Sequence, residues 1–110
     1  MRTCVITHNE FPGFHCWTDA PLTHGYLRAR HRHNFVVECH FRVEHDNREI
    51  EIFNQQEKIM NFIGDKYGIP AEFHEMSCEM IAKEIVNYFP ECITCSVRED
   101  GFGGAVVSAR

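Results

Sequence analysis

The longest alternating stretch of the chain reads HRHNFVVECHFRVEH and covers residues 31–45. From residue 33 onward apolar and polar side chains alternate, which is the pattern of a strand with one buried face. Residues 33–45 are therefore predicted to form the longest strand of a sheet. Because His31 and His33 are two positions apart at its start, we expect their side chains to point to the same face.

The flanking segments predict the rest of a small α+β domain. Residues 2–10, 93–97 and 104–108 read as further strands, and residues 49–53 alternate again after a turn at 46–48. Two helices are predicted: Asn54 to Tyr67, stopped by Gly68, and a second from the N-cap Ser77 to the residue before Pro90. The predicted order is ββααββ, a four-stranded antiparallel sheet with two helices on one face, in a single domain over residues 1–110.

Composition narrows the function classes. The chain has 110 residues, 44% hydrophobic and 25% charged, with a net charge of −5, which argues against binding nucleic acid. It holds no apolar run of the ~20 residues that span a bilayer, and its first residues do not resemble a signal peptide. We therefore expect a cytoplasmic protein with no membrane partner, whose six cysteines are free thiols.

Three histidines suggest a metal site. His15 ends the segment FPGFH, and it would join His31 and His33 from an earlier strand or loop. Neutral imidazole is the commonest protein ligand of zinc, and three such ligands leave a fourth position open, as in catalytic sites. The long segment 12–30 lacks a sustained period and is predicted to be a functional loop.

Four short segments occur in the order expected for one enzyme family. Phe11–His15, His31–Phe35, Met76–Glu79 and Val97–Asp100 resemble motifs of the 6-pyruvoyl-tetrahydropterin and 6-carboxytetrahydropterin synthases. The resemblance implies the tunnelling fold (T-fold) and Zn²⁺ held by the three histidines. It also implies Glu99 as the anchor of a pterin ring, and assembly into homo-oligomers, trimers or hexamers. The implied substrate is 7,8-dihydroneopterin triphosphate.

The catalytic positions depart from that family. Its members carry a cysteine four to six residues before the histidine pair, where this chain has Gly25, Tyr26 and Leu27. Cys16 and His24 are the candidates to replace that cysteine as the base, and His74, just before the second helix, could instead reach the site. An aspartate–histidine relay after the first helix is matched only by Asp65, since Lys66 follows it. Arg32 belongs to a basic cluster, Arg28, Arg30 and Arg32, that could hold the triphosphate.

The function expected from these features is a zinc-dependent lyase. By its short length the chain is most similar to the 6-carboxytetrahydropterin synthases of queuosine-type (7-deazaguanine) biosynthesis. Two alternatives remain open: 6-pyruvoyltetrahydropterin synthase activity, and a non-catalytic module that binds zinc and a pterin or purine. A more remote option is metal-independent aldol cleavage of dihydroneopterin.

Overall fold

A computed structural model describes residues 1–109. The elements in chain order are β1 (Thr3–His15), a 3₁₀ segment (Leu22–Leu27), β2 (His31–Val43), α1 (Ile52–Tyr67), β3 (Ala71–Glu72), α2 (Cys78–Tyr88), β4 (Cys92–Glu99) and β5 (Gly103–Ser108). Among these residues no helix is long and apolar enough to cross a membrane.

The α+β class is confirmed, but the predicted four-stranded antiparallel T-fold sheet in the order ββααββ is wrong. The sheet has five strands in the order β3-β1-β2-β4-β5, and it is mixed. Three pairings are antiparallel, whereas β3 runs parallel to β1 through Gly13–Ala71 and Phe14–Glu72. The sequence reading missed β3 because two residues are too few to show a period.

The first strand extends further than the predicted 2–10, and the strand predicted at 33–45 begins two residues earlier, at His31. β1 and β2 pair along thirteen residues each, from Thr3 opposite Val43 to His15 opposite His31. The first part of the predicted loop at 12–30 is therefore strand. Gly13 permits this, since a Cβ there would lie 2.9 Å from two ring carbons of Phe35 on the facing strand.

One face of the sheet carries the core. Odd-numbered residues of β1 and β2 point to it, and both helices contribute apolar side chains to the same cluster, among them Ile59, Ile63, Ile81 and Ile85. The opposite face carries the even-numbered residues of β2, including Arg32, Glu38 and Arg42, and both helices leave it uncovered.

The two helices are confirmed, with one corrected boundary. Ser77 caps α2 by accepting a hydrogen bond from the Met80 amide, and α1 ends before Gly68, whose φ is +85°. The N-cap of α1, however, is Glu51 rather than Asn54. Its carboxylate accepts hydrogen bonds from the amides of Phe53 and Asn54. The predicted strand at 49–53 is therefore wrong, since residues 52 and 53 already belong to α1.

Candidate metal centre

The three histidines meet where β1 ends and β2 begins. His15 is the last residue of β1 and lies opposite His31, and His33 lies two residues further along β2. The strand alternation turns all three rings to the core-bearing face, where their centroids are 4.6 to 5.2 Å apart. The expectation that His31 and His33 share a face is confirmed.

Each imidazole is oriented through its Nδ1 atom. Nδ1 of His15 lies 3.0 Å from the carbonyl oxygen of Met76, and Nδ1 of His31 lies 2.9 Å from that of Ala29. Nδ1 of His33 lies 2.6 Å from a carboxylate oxygen of Asp100. Because these partners are acceptors, each Nδ1 must donate its proton, which leaves each Nε2 available as a ligand atom.

This donor set fits a metal ion. One ligand atom from each ring lies within 4.8 Å of the other two. Among the described residues, this is the only group of three or more possible metal ligands that lie so close together. Nε2 of His33 is buried without a hydrogen-bond partner, a cost that coordination would remove. The three predicted ligands therefore form a cluster that could hold a metal ion.

Glu99 lies beside the histidines at the end of β4. One of its carboxylate oxygens is 3.1 Å from Nε2 of His15, and the other is 3.5 Å from Nε2 of His33. Proximity to His15 lowers the pKa of Glu99, although burial opposes this shift. Burial lowers the pKa of His15, but contacts with Glu99 and Met76 outweigh it, so its pKa is raised.

A half-open pocket of about 430 Å³ lies against this cluster. Its wall combines His15, His31 and Glu99 with the start of α2 and the start of β5. Within residues 1–109, the wall contains three carboxylates and no lysine or arginine. The residues that line it are His15, Cys16, Trp17, Leu27, His31, Glu75, Met76, Ser77, Cys78, Glu79, Met80, Glu99, Gly103 and Gly104.

The unpredicted strand β3 shapes this wall. The Phe73 amide donates to the Phe14 carbonyl and the Cys16 amide donates to the His74 carbonyl, which ties the segment after β3 to the end of β1. The Met76 carbonyl consequently reaches His15.

Of the candidate catalytic residues, Cys16 alone lines the pocket. His24 lies in the exposed 3₁₀ segment, 3.1 Å from the Thr23 hydroxyl. Asp65 is exposed in the last turn of α1 and is not part of the pocket wall, and the neighbouring Lys66 pairs with Glu84 at 2.7 Å.

The arginines lie outside the pocket wall. Arg32 is exposed on the opposite face of the sheet from His31 and His33. Arg30 pairs with Glu72 at 2.7 Å and lies over the ring of Phe14, while Nε of Arg28 donates to the Ala20 carbonyl.

Sequence reasoning missed two residues of the site. Asp100 follows Glu99 in a tight turn, at φ +54°, and contacts both His33 and the Asn34 amide. Cys78, the first residue of α2, is buried with its Sγ 3.6 Å from a Glu99 oxygen. Acidity next to Glu99 was the available signal for Asp100; nothing in the sequence distinguishes Cys78 from the other buried thiols.

Comparison with known proteins does not assign a family or a function to this site. No protein-family model matches the chain, and a search of curated proteins found no significant match.

Proposed function

We propose that the chain is a zinc-dependent pterin-processing lyase of the 6-carboxytetrahydropterin synthase type, acting on 7,8-dihydroneopterin triphosphate. The observation that carries the proposal is the cluster of three imidazoles, each with its Nδ1 engaged, beside a pocket that His15, His31 and Glu99 line. Zinc on His15, His31 and His33 would act as a Lewis acid, acidifying side-chain hydroxyls and the adjacent C–H bond of the substrate.

Glu99 suits the anchoring of a pterin ring. A carboxylate can accept two parallel hydrogen bonds, which matches the 2-amino group and the neighbouring ring N–H. Once Nε2 of His15 serves as a ligand it no longer carries a proton for Glu99, so the carboxylate oxygens become free for these donors. The half-exposed position of Glu99 in the pocket gives a flat ring access to it.

A product assay tests the proposal. The zinc-loaded protein would be incubated with 7,8-dihydroneopterin triphosphate and the products identified by mass spectrometry. We expect 6-carboxytetrahydropterin, and 6-pyruvoyltetrahydropterin would instead indicate the sister reaction. Glu99→Gln is expected to keep its zinc and bind the substrate more weakly. Unchanged substrate in the presence of one bound zinc per chain would rule out the lyase.

The second candidate is a non-catalytic module that binds zinc and a pterin or purine. The carboxylate-rich wall favours it, since within the described residues no lysine or arginine reaches the pocket to hold a triphosphate. Leu27, one of the positions where the synthases carry their catalytic cysteine, lies in the wall and cannot transfer a proton, which also favours the module. Tight neopterin binding without turnover would support this module.

A further inference from the structure

The pocket beside the histidine cluster also contains an indole. Trp17, the one tryptophan of the chain, lies two residues beyond His15 and lines the pocket with 50% of its surface exposed. Among the described residues, no aromatic ring or cationic side chain stacks on it, whereas the ring of Phe14 is covered by Arg30. A large aromatic side chain is therefore available to a molecule that enters the pocket.

Hydrogen bonds hold the backbone on both sides of this indole. The Trp17 amide donates to the Leu27 carbonyl at 2.8 Å, and the Trp17 carbonyl accepts from the Ala20 amide at 3.1 Å. The next residue, Thr18, donates from both its amide and its hydroxyl to the Glu75 carboxylate, each at 2.8 Å. The backbone that carries the indole is thus fixed before a ligand arrives, which lowers the entropic cost of binding against it.

The pocket combines the two surfaces that a flat heterocycle with N–H groups requires. Trp17 and Leu27, joined by the hydrogen bond above, provide apolar side chains, while Glu99 provides hydrogen-bond acceptors. Within residues 1–109, its wall holds carboxylates and no lysine or arginine, which suits a ring whose edge donates hydrogen bonds. The face of such a ring stacks favourably on an aromatic side chain. The pocket volume of about 430 Å³ is also typical of sites for small molecules.

We propose that Trp17 is the stacking platform for a pterin ring, and thereby a specificity-determining residue of the pocket. The proposal rests on the pterin function above, in which Glu99 binds the edge of the ring, and adds the residue that binds its face. Stacking involves the ring and not the side chain that reacts. Trp17 therefore contributes to binding of the ligand and takes no part in the elimination.

Binding of neopterin tests the proposal, because this oxidised pterin has no triphosphate to eliminate. Its Kd would be measured by calorimetry on full-length zinc-loaded protein. We expect Trp17→Ala to raise Kd about 10- to 100-fold, as for removal of an aromatic ring on which a base stacks. Trp17→Phe, which keeps a ring, should lose less affinity than Trp17→Leu, which is apolar but not aromatic. The matched control is Tyr26→Ala, an exposed aromatic residue outside the pocket wall, with an unchanged Kd.

Two readouts separate stacking from a packing role. Because Trp17 lies close to the ligand His15, its zinc affinity should equal that of wild type in every variant if only stacking is lost. In the lyase assay, Trp17→Ala should raise KM and leave kcat nearly unchanged, as expected when binding alone is weakened. If the variants lose zinc, wild-type protein carries the test. Nuclear Overhauser contacts are then expected between the single indole ring and the C7 proton of neopterin.

Failure of this proposal differs from failure of the proposed function. Neopterin that binds Trp17→Ala as tightly as wild type, or that makes no contact with the indole when bound, would overturn the platform and leave the pterin function standing. Zinc-loaded wild type that binds no neopterin would overturn both. Neopterin stacked on Trp17, together with unchanged 7,8-dihydroneopterin triphosphate in the product assay, would support the platform and overturn the lyase.

Discussion

At the scale of single residues, His15 has acceptors at both ring nitrogens. Met76 accepts from Nδ1 and Glu99 lies 3.1 Å from Nε2, so the protonated imidazole is favoured and the pKa of His15 is raised. A metal ion needs the Nε2 lone pair, and therefore competes with that proton.

Zinc affinity should consequently fall as the pH falls through the raised pKa of His15, because the proton then occupies Nε2. Glu99→Gln removes the charge that favours protonation, so its loss of affinity should begin at lower pH. Competition with a chelator between about pH 5 and pH 8, where histidine titrates, measures both curves. Coincident curves for the two proteins would contradict this account.

The orientation of His33 depends on Asp100. Loss of a carboxylate behind a ligand histidine commonly weakens metal binding about 10- to 100-fold. We expect Asp100→Ala to show such a loss of zinc affinity and Asp100→Asn, which retains an acceptor oxygen, a smaller one. Asp46→Ala, an exposed aspartate beyond the opposite end of β2, is the control for a general effect of lost charge. Equal zinc affinity in Asp100→Ala and wild type would show that the ring needs no such support.

At the scale of elements, helices and long strands could be predicted and the short strand could not. Ser77 and Gly68 mark helix ends by local chemistry, and β2 shows its alternation over many residues. β3 has two residues, and its pairing with Gly13 and Phe14 depends on the folded position of β1. The histidine ligands were predictable from strand spacing. Contacts from Met76, Cys78 and Asp100 were not, since each arrives from a distant part of the chain.

The Phe35 ring packs closely over Gly13 of β1, so the side chain at position 13 should affect stability. Gly13→Ala would place a Cβ 2.9 Å from that ring and force the packing to shift. Such overpacking costs about 1–3 kcal/mol of unfolding free energy. Because Phe35 packs edge-on against His15 and His33, zinc affinity should fall as well. Gly25→Ala, where a Cβ meets no atom within 4 Å, is the control in denaturant titrations.

The N-cap of α1 makes stability depend on pH. Hydrogen bonds from the Asn54 and Phe53 amides lower the pKa of Glu51 in the folded protein. Their stabilisation is fully present above the unfolded-state pKa and is lost as the pH falls through the folded-state pKa. Glu51→Gln should therefore flatten the acid side of the stability curve, measured by thermal unfolding at a series of pH values. Glu57→Gln, exposed on the same helix, should leave the curve unchanged.

At the scale of the whole molecule, a bound metal would stabilise the folded state, because its three ligands lie on two strands that come together only when the chain folds. Binding adds about 2.7 kcal/mol when the free ion is at 100 times its Kd. Thermal unfolding should therefore shift upward with added zinc and return with a chelator. His31→Ala should lose most of this shift, and an equal shift in that variant would place the ion elsewhere.

The three acceptors behind the histidines lie in three separate segments: before β2 at Ala29, before α2 at Met76, and in the turn after β4 at Asp100. Fixing the rings therefore also fixes these segments. Their backbone amides should gain protection from hydrogen exchange together when the ion binds, and lose it together when the ion leaves. The site would thus join three surface segments into one cooperative opening unit.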